Sequence, residues 1–312
     1  MILRALNSEE VPALRALQCS LAPAHRAWSD AAARDELLDP GRAGGMNVAL
    51  ACEGQGLFGF VGWVSFAALA TGEFYGAPFV AANDEAARLL LGKVLAEAAQ
   101  HRAKWVRVSA FQEEGPKTRA LSNAGFRPVF EFIDLALDLS RAAPGPSAIE
   151  ALLPVDLTHV DGERFADLSN ACFRGVANAP GITAPMAEEL WRQESVARDG
   201  SQLWADDRGL YQAFLLLKTD GTVDSLGVRP GGRRRGTARR MLERAVAAAT
   251  LAGWVRLRCV IASDNGPSLA LHRACGFADF ERRTVWQRDV AGEPAEAPPA
   301  GPNRCSGPGS ST

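Results

Sequence analysis

The residues best suited to chemistry form a glycine-rich basic loop that leads into a helix. From Val228 to Ala238 the sequence reads VRPGGRRRGTA. Apolar residues then recur at the spacing of one helical face, at Ala238, Met241, Leu242, Ala245, Val246 and Ala249. Unpaired N–H groups at a helix start attract anions, and glycine lets the backbone approach them closely. The pattern predicts a diphosphate cradle, although a turn with a solvated positive face is the alternative.

Two motifs at a suitable distance from each other resemble the GNAT N-acetyltransferases. Arg233-x-x-Gly236-x-Ala238 is similar to the acyl-CoA-binding motif of that family. The stretch from Asn265 to Phe277 is similar to the family's ending Asn-x-x-Ala-x-x-Leu-Tyr-x-x-x-Gly-Phe. An alternating apolar pattern typical of a half-buried strand lies between the two motifs. A P-loop is excluded because no Gly-x-x-x-x-Gly-Lys-Ser/Thr occurs, and a Rossmann loop because the loop after this strand lacks Gly-x-Gly-x-x-Gly.

The resemblance implies an α+β fold with a mixed α/β sheet, acetyl-CoA as acyl donor and a primary amine of a small molecule or peptide as acceptor. It further implies that backbone amides of a splayed strand bind the pantetheine arm and polarise the thioester, at Leu226, Gly227 and Val228. The other residues expected to bind the donor are Arg233, Arg234, Arg235, Gly236, Thr237, Ala238, Arg239, Asn265 and Ser268. For Asn265 the alternative is a helix cap.

Acetyl transfer to an amine needs a base for the amine and an acid for the departing thiolate. The resemblance places the base at Asp224, for which a solvent-facing carboxylate at a strand end is the alternative. It places the acid at His272, where the family usually has tyrosine. An imidazolium with a pKa near ~6.5 would serve, and a surface histidine on a helix is the alternative. The acceptor is expected to bind at residues 173–189 and in the cleft between the domains.

An internal repeat predicts two tandem GNAT-type domains. Each half ends a helix with Gly-Phe, at Gly125-Phe126 and at Gly276-Phe277. The predicted boundaries are 1–140 for a degenerate domain, 141–149 for a linker, 150–290 for the catalytic domain and 291–312 for a disordered tail rich in Pro, Gly, Ser and Ala. We expect the first half to fold on its own and to be inactive.

The two copies differ where the phosphate loop should be. The first half reads Val80-Ala-Ala-Asn-Asp84-Glu85 there, without glycine and with two acids. Carboxylates at a helix start favour the dipole but repel a diphosphate. The first copy is therefore expected to keep the fold and to have lost the donor site.

Composition limits the possible partners. The 312 residues carry a formal net charge of −2, with 47% hydrophobic and 22% charged residues, which suits two ordinary globular domains. Seven arginines between Arg229 and Arg244 form only a local patch, so a nucleic-acid partner is not expected. The six cysteines lack C-x-x-C or zinc spacing, which predicts reduced thiols in the cytoplasm and no metal. No apolar run approaches the ~20 residues of a membrane span.

The sequence thus favours a cytoplasmic acetyl-CoA-dependent N-acetyltransferase that is a monomer or a homodimer. A non-catalytic acyl-CoA-binding sensor or scaffold is the alternative. A third hypothesis, an arginine-patch nucleic-acid binder, predicts steeply salt-dependent affinity.

Overall fold

The computed structural model describes residues 1–65, 68, 72–141, 149, 152–176 and 181–290. The predicted tail and all but the two ends of the predicted linker lie outside these residues. The helices in the described part are α1 Val11–Leu21, α2 Asp30–Leu38, α3 Asp84–Gln100, α4 Gly115–Asn123, α5 Gly162–Phe173, α6 Ala184–Arg192, α7 Thr237–Leu251 and α8 Gly266–Ala274. The strands are β1 Ile2–Ala5, β2 Val48–Glu53, β3 Gly56–Val64, β4 Glu73–Ala81, β5 Trp105–Ala110, β6 Arg127–Asp138, β7 Leu153–Pro154, β8 Gln202–Ala205, β9 Tyr211–Leu217, β10 Thr222–Val228, β11 Arg256–Ala262 and β12 Ala278–Asp289.

The described strands form one mixed sheet in the order β1-β2-β3-β4-β5-β12-β6-β11-β10-β9-β8-β7. Neighbouring strands are antiparallel except for β4–β5 and β10–β11, which are parallel. The predicted mixed α/β architecture is confirmed. The two halves repeat the same order of elements, as the paired Gly-Phe endings predict.

The sheet joins the halves by a reciprocal exchange of strands. β12 of the second half pairs with β5 of the first, over Thr284–Asp289 and Ala110–Trp105. β6 of the first half pairs with β11 of the second, over Phe132–Asp138 and Ala262–Arg256. Ile133, Leu135 and Leu137 of β6 consequently lie in the same core as the buried face of α7. Each half thus completes the sheet of the other.

Helices cover both faces of the sheet in each half. In the first half α3 packs against one face and α1 with α2 against the other. In the second half α7 packs against one face and α5 with α6 against the other. The apolar stripe predicted for α7 is buried at Met241, Leu242, Ala245, Val246 and Ala249. This packing fixes the direction in which α7 starts, towards the end of β10.

The exchange changes what is expected of an isolated first half. A fragment of residues 1–140 would lack β12, so the free edge of β5 and the apolar face of β6 would be uncovered. We expect the fragment to self-associate, either by the same exchange between two copies or by aggregation. Size-exclusion chromatography with light scattering tests this, and a stable folded monomer would contradict it. Mixing with residues 149–290 should suppress the self-association.

Candidate active site

The site begins where β10 and β11 separate. The two strands pair only at Thr222–Arg258 and Val223–Cys259, and then diverge. A register shift between Val223 and Ser225 makes Asp224 the extra residue of a β-bulge opposite β9. Bulges redirect side chains and end pairing, and they are common beside active sites. A gap therefore opens along one edge of β10, as the family resemblance implies.

The backbone of Leu226, Gly227 and Val228 lines this gap. These residues pair with β9 on one side, and no strand among the described residues pairs with them on the other. A Cβ atom on Gly227 would lie 2.4 Å from the Phe214 ring and 3.0 Å from Cys172 Sγ. Glycine is required there because α5 and β9 support the strand closely from behind. The free edge of β10 is thus held rigidly and can bind an extended ligand.

The loop after β10 leads to a helix start that has no side-chain cap. A turn at Pro230–Gly232 precedes Gly236, which is the N-cap residue of α7 and has a φ of +80°. The first backbone bond into the helix runs from Arg240 N to Gly236 O, 3.1 Å. Within the described part of the chain, the N–H groups of Thr237, Ala238 and Arg239 have no acceptor. Such a helix start is suited to a phosphate group.

The arginines of this loop divide into two roles. Arg233 Nε donates to the Val228 carbonyl oxygen at 3.0 Å, and Nη2 donates to the Cys172 carbonyl oxygen at 2.8 Å. Arg233 therefore anchors the loop to α5 and is less available to a ligand than the sequence suggested. Arg239 forms an ion pair with Glu243 at 3.0 Å. Arg234 and Arg235 are exposed, and neither has an ion pair with any other described residue, so they can reach an anion.

The corresponding helix start in the first half is capped by its own side chains. Asn83 accepts a hydrogen bond from Ala86 N at 2.9 Å, and Asp84 pairs with Arg119 at 2.7 Å. At α3 the Ala86 N–H is thus occupied by the Asn83 oxygen, and the first turn carries the carboxylates of Asp84 and Glu85. This arrangement supports the interpretation that the first copy does not bind a diphosphate.

In the first half, a buried lysine occupies the position that corresponds to the gap beside β10. The sequences of α4 and α8 align without a gap, from Gly115-Pro116 and Gly266-Pro267 to the Gly-Phe endings, and this places Lys117 where the second half has Ser268. Lys117 Nζ donates to the Phe79 carbonyl oxygen of β4 at 3.1 Å and pairs with Glu114 at 2.6 Å. Burial lowers the pKa of Lys117, and the Glu114 carboxylate opposes this. A backbone acceptor of the first half's splayed strand is thus already occupied.

Asp224 lies at the mouth of the gap. Its side chain is exposed to solvent. The neighbouring protein atoms partly desolvate the carboxyl group and raise the pKa of Asp224, while the Lys218 ammonium and the Ser225 hydroxyl lower it. Both the predicted base and the alternative of a solvent-reached carboxylate are compatible with this position. The geometry makes Asp224 accessible to a substrate.

His272 lies inside the protein and not on its surface. It is 3% exposed, and its ring packs edge-on against Phe277 with the ring centres 5.4 Å apart. Nδ1 is 2.9 Å from the Ser268 carbonyl oxygen, and because a carbonyl only accepts, Nδ1 carries the proton. Burial lowers the pKa of His272, and the bond to Ser268 opposes this. The surface-histidine alternative is wrong, and burial disfavours the expected imidazolium at neutral pH.

Asn265 and Ser268 act together at the start of α8. The Asn265 side chain accepts a hydrogen bond from Ser268 N at 3.3 Å, as an N-cap does. Its capping role is therefore present in the structure, and a contact with the donor stays a prediction. The Ser268 hydroxyl lies 3.5 Å from His272 Nδ1.

Several polar residues near Asp224 were not found by sequence reasoning. They are Lys218 on its own hairpin, Gln193 and Ser195 after α6, and Asp39 after α2 of the first half. Nothing in the local sequence indicates these residues, because Asp39 and Gln193 are 154 positions apart. The contact between the halves brings Asp39 to the other three residues, which all belong to the second half.

Among the described residues, no group of three or more His, Cys, Asp or Glu side chains could hold a metal ion. None of their helices combines the length and apolar character needed to cross a membrane. The cysteines among them, Cys19, Cys52, Cys172, Cys259 and Cys275, are free thiols.

Comparison with known proteins agrees with this geometry. Residues 164–277 match the model of the acetyltransferase (GNAT) family. No curated protein matches the chain in sequence. A GCN5-related N-acetyltransferase from Sphaerobacter thermophilus is 20% identical with a TM-score of 0.64, over 94% of this chain and 96% of that one.

Two other solved structures share the fold at lower identity. A tandem GNAT protein from the clavulanic acid biosynthesis pathway has a TM-score of 0.68 at 14% identity, over 94% of this chain and 99% of that one. A putative acetyltransferase from Pyrococcus horikoshii has a TM-score of 0.64 at 11% identity, over 92% and 89% of the two chains. Residues 164–277 thus match the GNAT family model, and the chain as a whole shares the fold of these tandem and GCN5-related structures.

Proposed function

We propose that the chain is an N-acetyltransferase that moves an acetyl group from acetyl-CoA to a primary amine of a small molecule or peptide. The observation that carries this proposal is the free edge of β10, which leads directly to the open helix start at Gly236. The corresponding features of the first half are closed by Asn83 and Lys117. The proposed site therefore lies in the second half alone.

The residues present fit the two parts of the donor. The N–H groups of Thr237, Ala238 and Arg239 would hold the diphosphate, with Arg234 and Arg235 nearby. The free edge of β10 would hold the extended pantetheine arm by backbone hydrogen bonds. When bound, acetyl-CoA supplies an activated thioester.

Asp224 would act as the base. Its raised pKa lies closer to neutral pH than that of an ordinary aspartate, which strengthens the carboxylate as a proton acceptor. It would take the proton from the ammonium group of the acceptor, directly or through one water. Backbone N–H groups at the free edge of β10 would hydrogen-bond to the carbonyl oxygen, where negative charge develops.

His272 is the residue considered for the acid step. We expect His272→Phe to lower kcat while leaving acetyl-CoA affinity nearly intact, if His272 donates the proton to the thiolate. His272→Tyr should retain much of the activity. Steady-state kinetics and calorimetry on the same preparations separate the two effects, and melting temperatures check the loss of the bond to Ser268. A wild-type kcat in His272→Phe would show that water or the substrate supplies the proton.

A thiol-release assay tests the proposed function directly. Purified protein is given acetyl-CoA and a panel of amines that includes amino acids, polyamines, aminoglycosides and peptides. We expect free thiol to appear at a rate that depends on one amine class and that falls strongly in Asp224→Asn. Binding of acetyl-CoA without amine-dependent release across the panel would favour the non-catalytic sensor or scaffold. The cytoplasmic location, the monomeric or homodimeric state and the lack of nucleic-acid partners stay predictions.

A further inference from the structure

A series of hydrogen bonds crosses from the first half to the second beside Asp224. The Asp39 carboxylate accepts from Gln193 Nε2 at 3.3 Å. The Gln193 side-chain oxygen in turn accepts from Lys218 Nζ, which also donates to Ser195 Oγ at 3.0 Å. Lys218 is thereby held by two side chains of one segment, residues 193–195, which the first half contacts.

The first half fixes that segment in place by further contacts. Asp35 of α2 accepts from the Ser195 N–H at 3.0 Å. The neighbouring pair of Arg34 with Glu194, at 2.8 Å, is exposed on both sides and adds little to this fixation. Asp39 itself is oriented, because its other carboxylate oxygen accepts from Gly41 N at 2.7 Å. Ser195 is buried. The position of residues 193–195, and with it that of Lys218, therefore depends on both halves.

Lys218 and Asp224 belong to one hairpin. Lys218 N donates to the Thr222 carbonyl oxygen at 2.8 Å, so the two strands turn between these residues. The charged groups with the largest effects on the pKa of Asp224 are Lys218 and Asp220 from this hairpin and Asp39 from the first half. Arg258 of β11 lies opposite Thr222. Lys218 is the positively charged group with the largest effect on the pKa of Asp224, and it lowers that pKa. Asp220 and Asp39 raise it.

We propose that Lys218, held by Gln193 against the first half, is a positioning residue that sets the ionisation of Asp224 for the acceptor amine. This inference rests on the proposed function, in which Asp224 is the base. It gives the first half a direct part in the reaction although its own donor site is closed. The first half acts through residues 193–195 and does not touch the reacting atoms.

The sign of the effect follows from the charges. Activity should rise with pH as Asp224 loses its proton, which gives the acidic limb of the profile of kcat/KM. The Lys218 ammonium favours the carboxylate, so its removal raises the pKa of Asp224 and moves the acidic limb to higher pH. Loss of the Gln193 tether should move the limb in the same direction by less, because the ammonium remains but is no longer fixed.

The test compares pH profiles of kcat/KM for the full chain and three variants. We expect Lys218→Met to shift the acidic limb upward by about 1 pH unit, a usual size for the loss of a neighbouring opposite charge. Gln193→Ala should shift it upward by less, and Lys218→Arg should restore the wild-type limb. Gln193→Ala is preferred to Asp39→Asn because it removes the tether without changing a charge.

Glu194→Gln provides the matched control. It removes a charge from the adjacent residue, which is exposed and pairs with Arg34 at the same interface. Its acidic limb should coincide with that of the wild type. If Lys218→Met does not fold, the position of the acidic limb of Gln193→Ala decides whether the positioning role holds.

The outcomes separate this inference from the proposed function. If Asp224→Asn keeps wild-type kcat/KM, the base assignment is wrong. If Asp224→Asn loses activity but the limbs of Lys218→Met and Gln193→Ala coincide with the wild-type limb, only the positioning role is overturned. An upward shift in Gln193→Ala that is absent in Glu194→Gln supports the proposal.

Discussion

Replacing Gly236 by aspartate should weaken acetyl-CoA binding by about 10²- to 10³-fold, and replacing it by asparagine should weaken binding less, because asparagine can cap the helix start as Asn83 does at α3 but adds no charge. Both side chains tolerate the left-handed φ of +80° better than most residues, and a Cβ there meets open space. The two variants therefore share the same backbone strain and differ in one charge. A carboxylate about 4 Å from a phosphate costs about 4 kcal/mol at an effective dielectric constant near 20.

Isothermal titration of acetyl-CoA into both variants measures this difference. Melting temperatures without ligand show whether the two variants are equally folded. Equal affinities for Gly236→Asp and Gly236→Asn would mean that the diphosphate does not sit at the start of α7. The first half already contains the natural form of this change, since Asn83 and Asp84 stand at the start of α3.

Asp224→Asn should lower kcat by about 10²- to 10⁴-fold and leave acetyl-CoA affinity nearly unchanged. The range is the usual contribution of a general base. The amide keeps the shape of the side chain but cannot take a proton. Because the loss falls on the transition state, ground-state binding of the donor should be preserved.

Asp220→Asn is the matched control for this prediction. Asp220 lies on the same hairpin, and its carboxylate accepts from Thr222 N at 2.9 Å. Asparagine retains that acceptor, so the turn should remain intact and activity should stay close to the wild-type value. A similar loss of kcat in both variants would show that the net charge of the hairpin, and not a base at Asp224, controls the rate.

The sequence predicted the parts of the fold that depend on local pattern. The apolar stripe of α7 and the paired Gly-Phe endings follow from helical spacing and from repetition. The exchange of β6 and β12 could not be predicted in the same way. Both strands are long and amphipathic, and a strand's own pattern does not state which neighbour it will pair with. The expectation that the first half folds on its own therefore did not take β12 into account, the strand with which β5 pairs.

The candidate site was predicted only partly for the same reason. Gly236 and the start of α7 are encoded locally, and the structure places them as expected. The burial of His272 depends on the packing of α8 against Phe277, and the anchoring role of Arg233 depends on the carbonyl of Cys172. The link from Asp39 to Gln193 joins two distant segments. Such tertiary contacts decide which of several polar residues remain available to a ligand.

The most direct test of the central claim is the stoichiometry of acetyl-CoA binding to the full chain, measured by isothermal titration calorimetry. One donor site in the second half predicts one molecule bound per chain, with binding strongly weakened by Gly236→Asp and unaffected by a substitution at the start of α3 such as Asp84→Asn. Two molecules per chain would contradict the account, and so would wild-type affinity in Gly236→Asp.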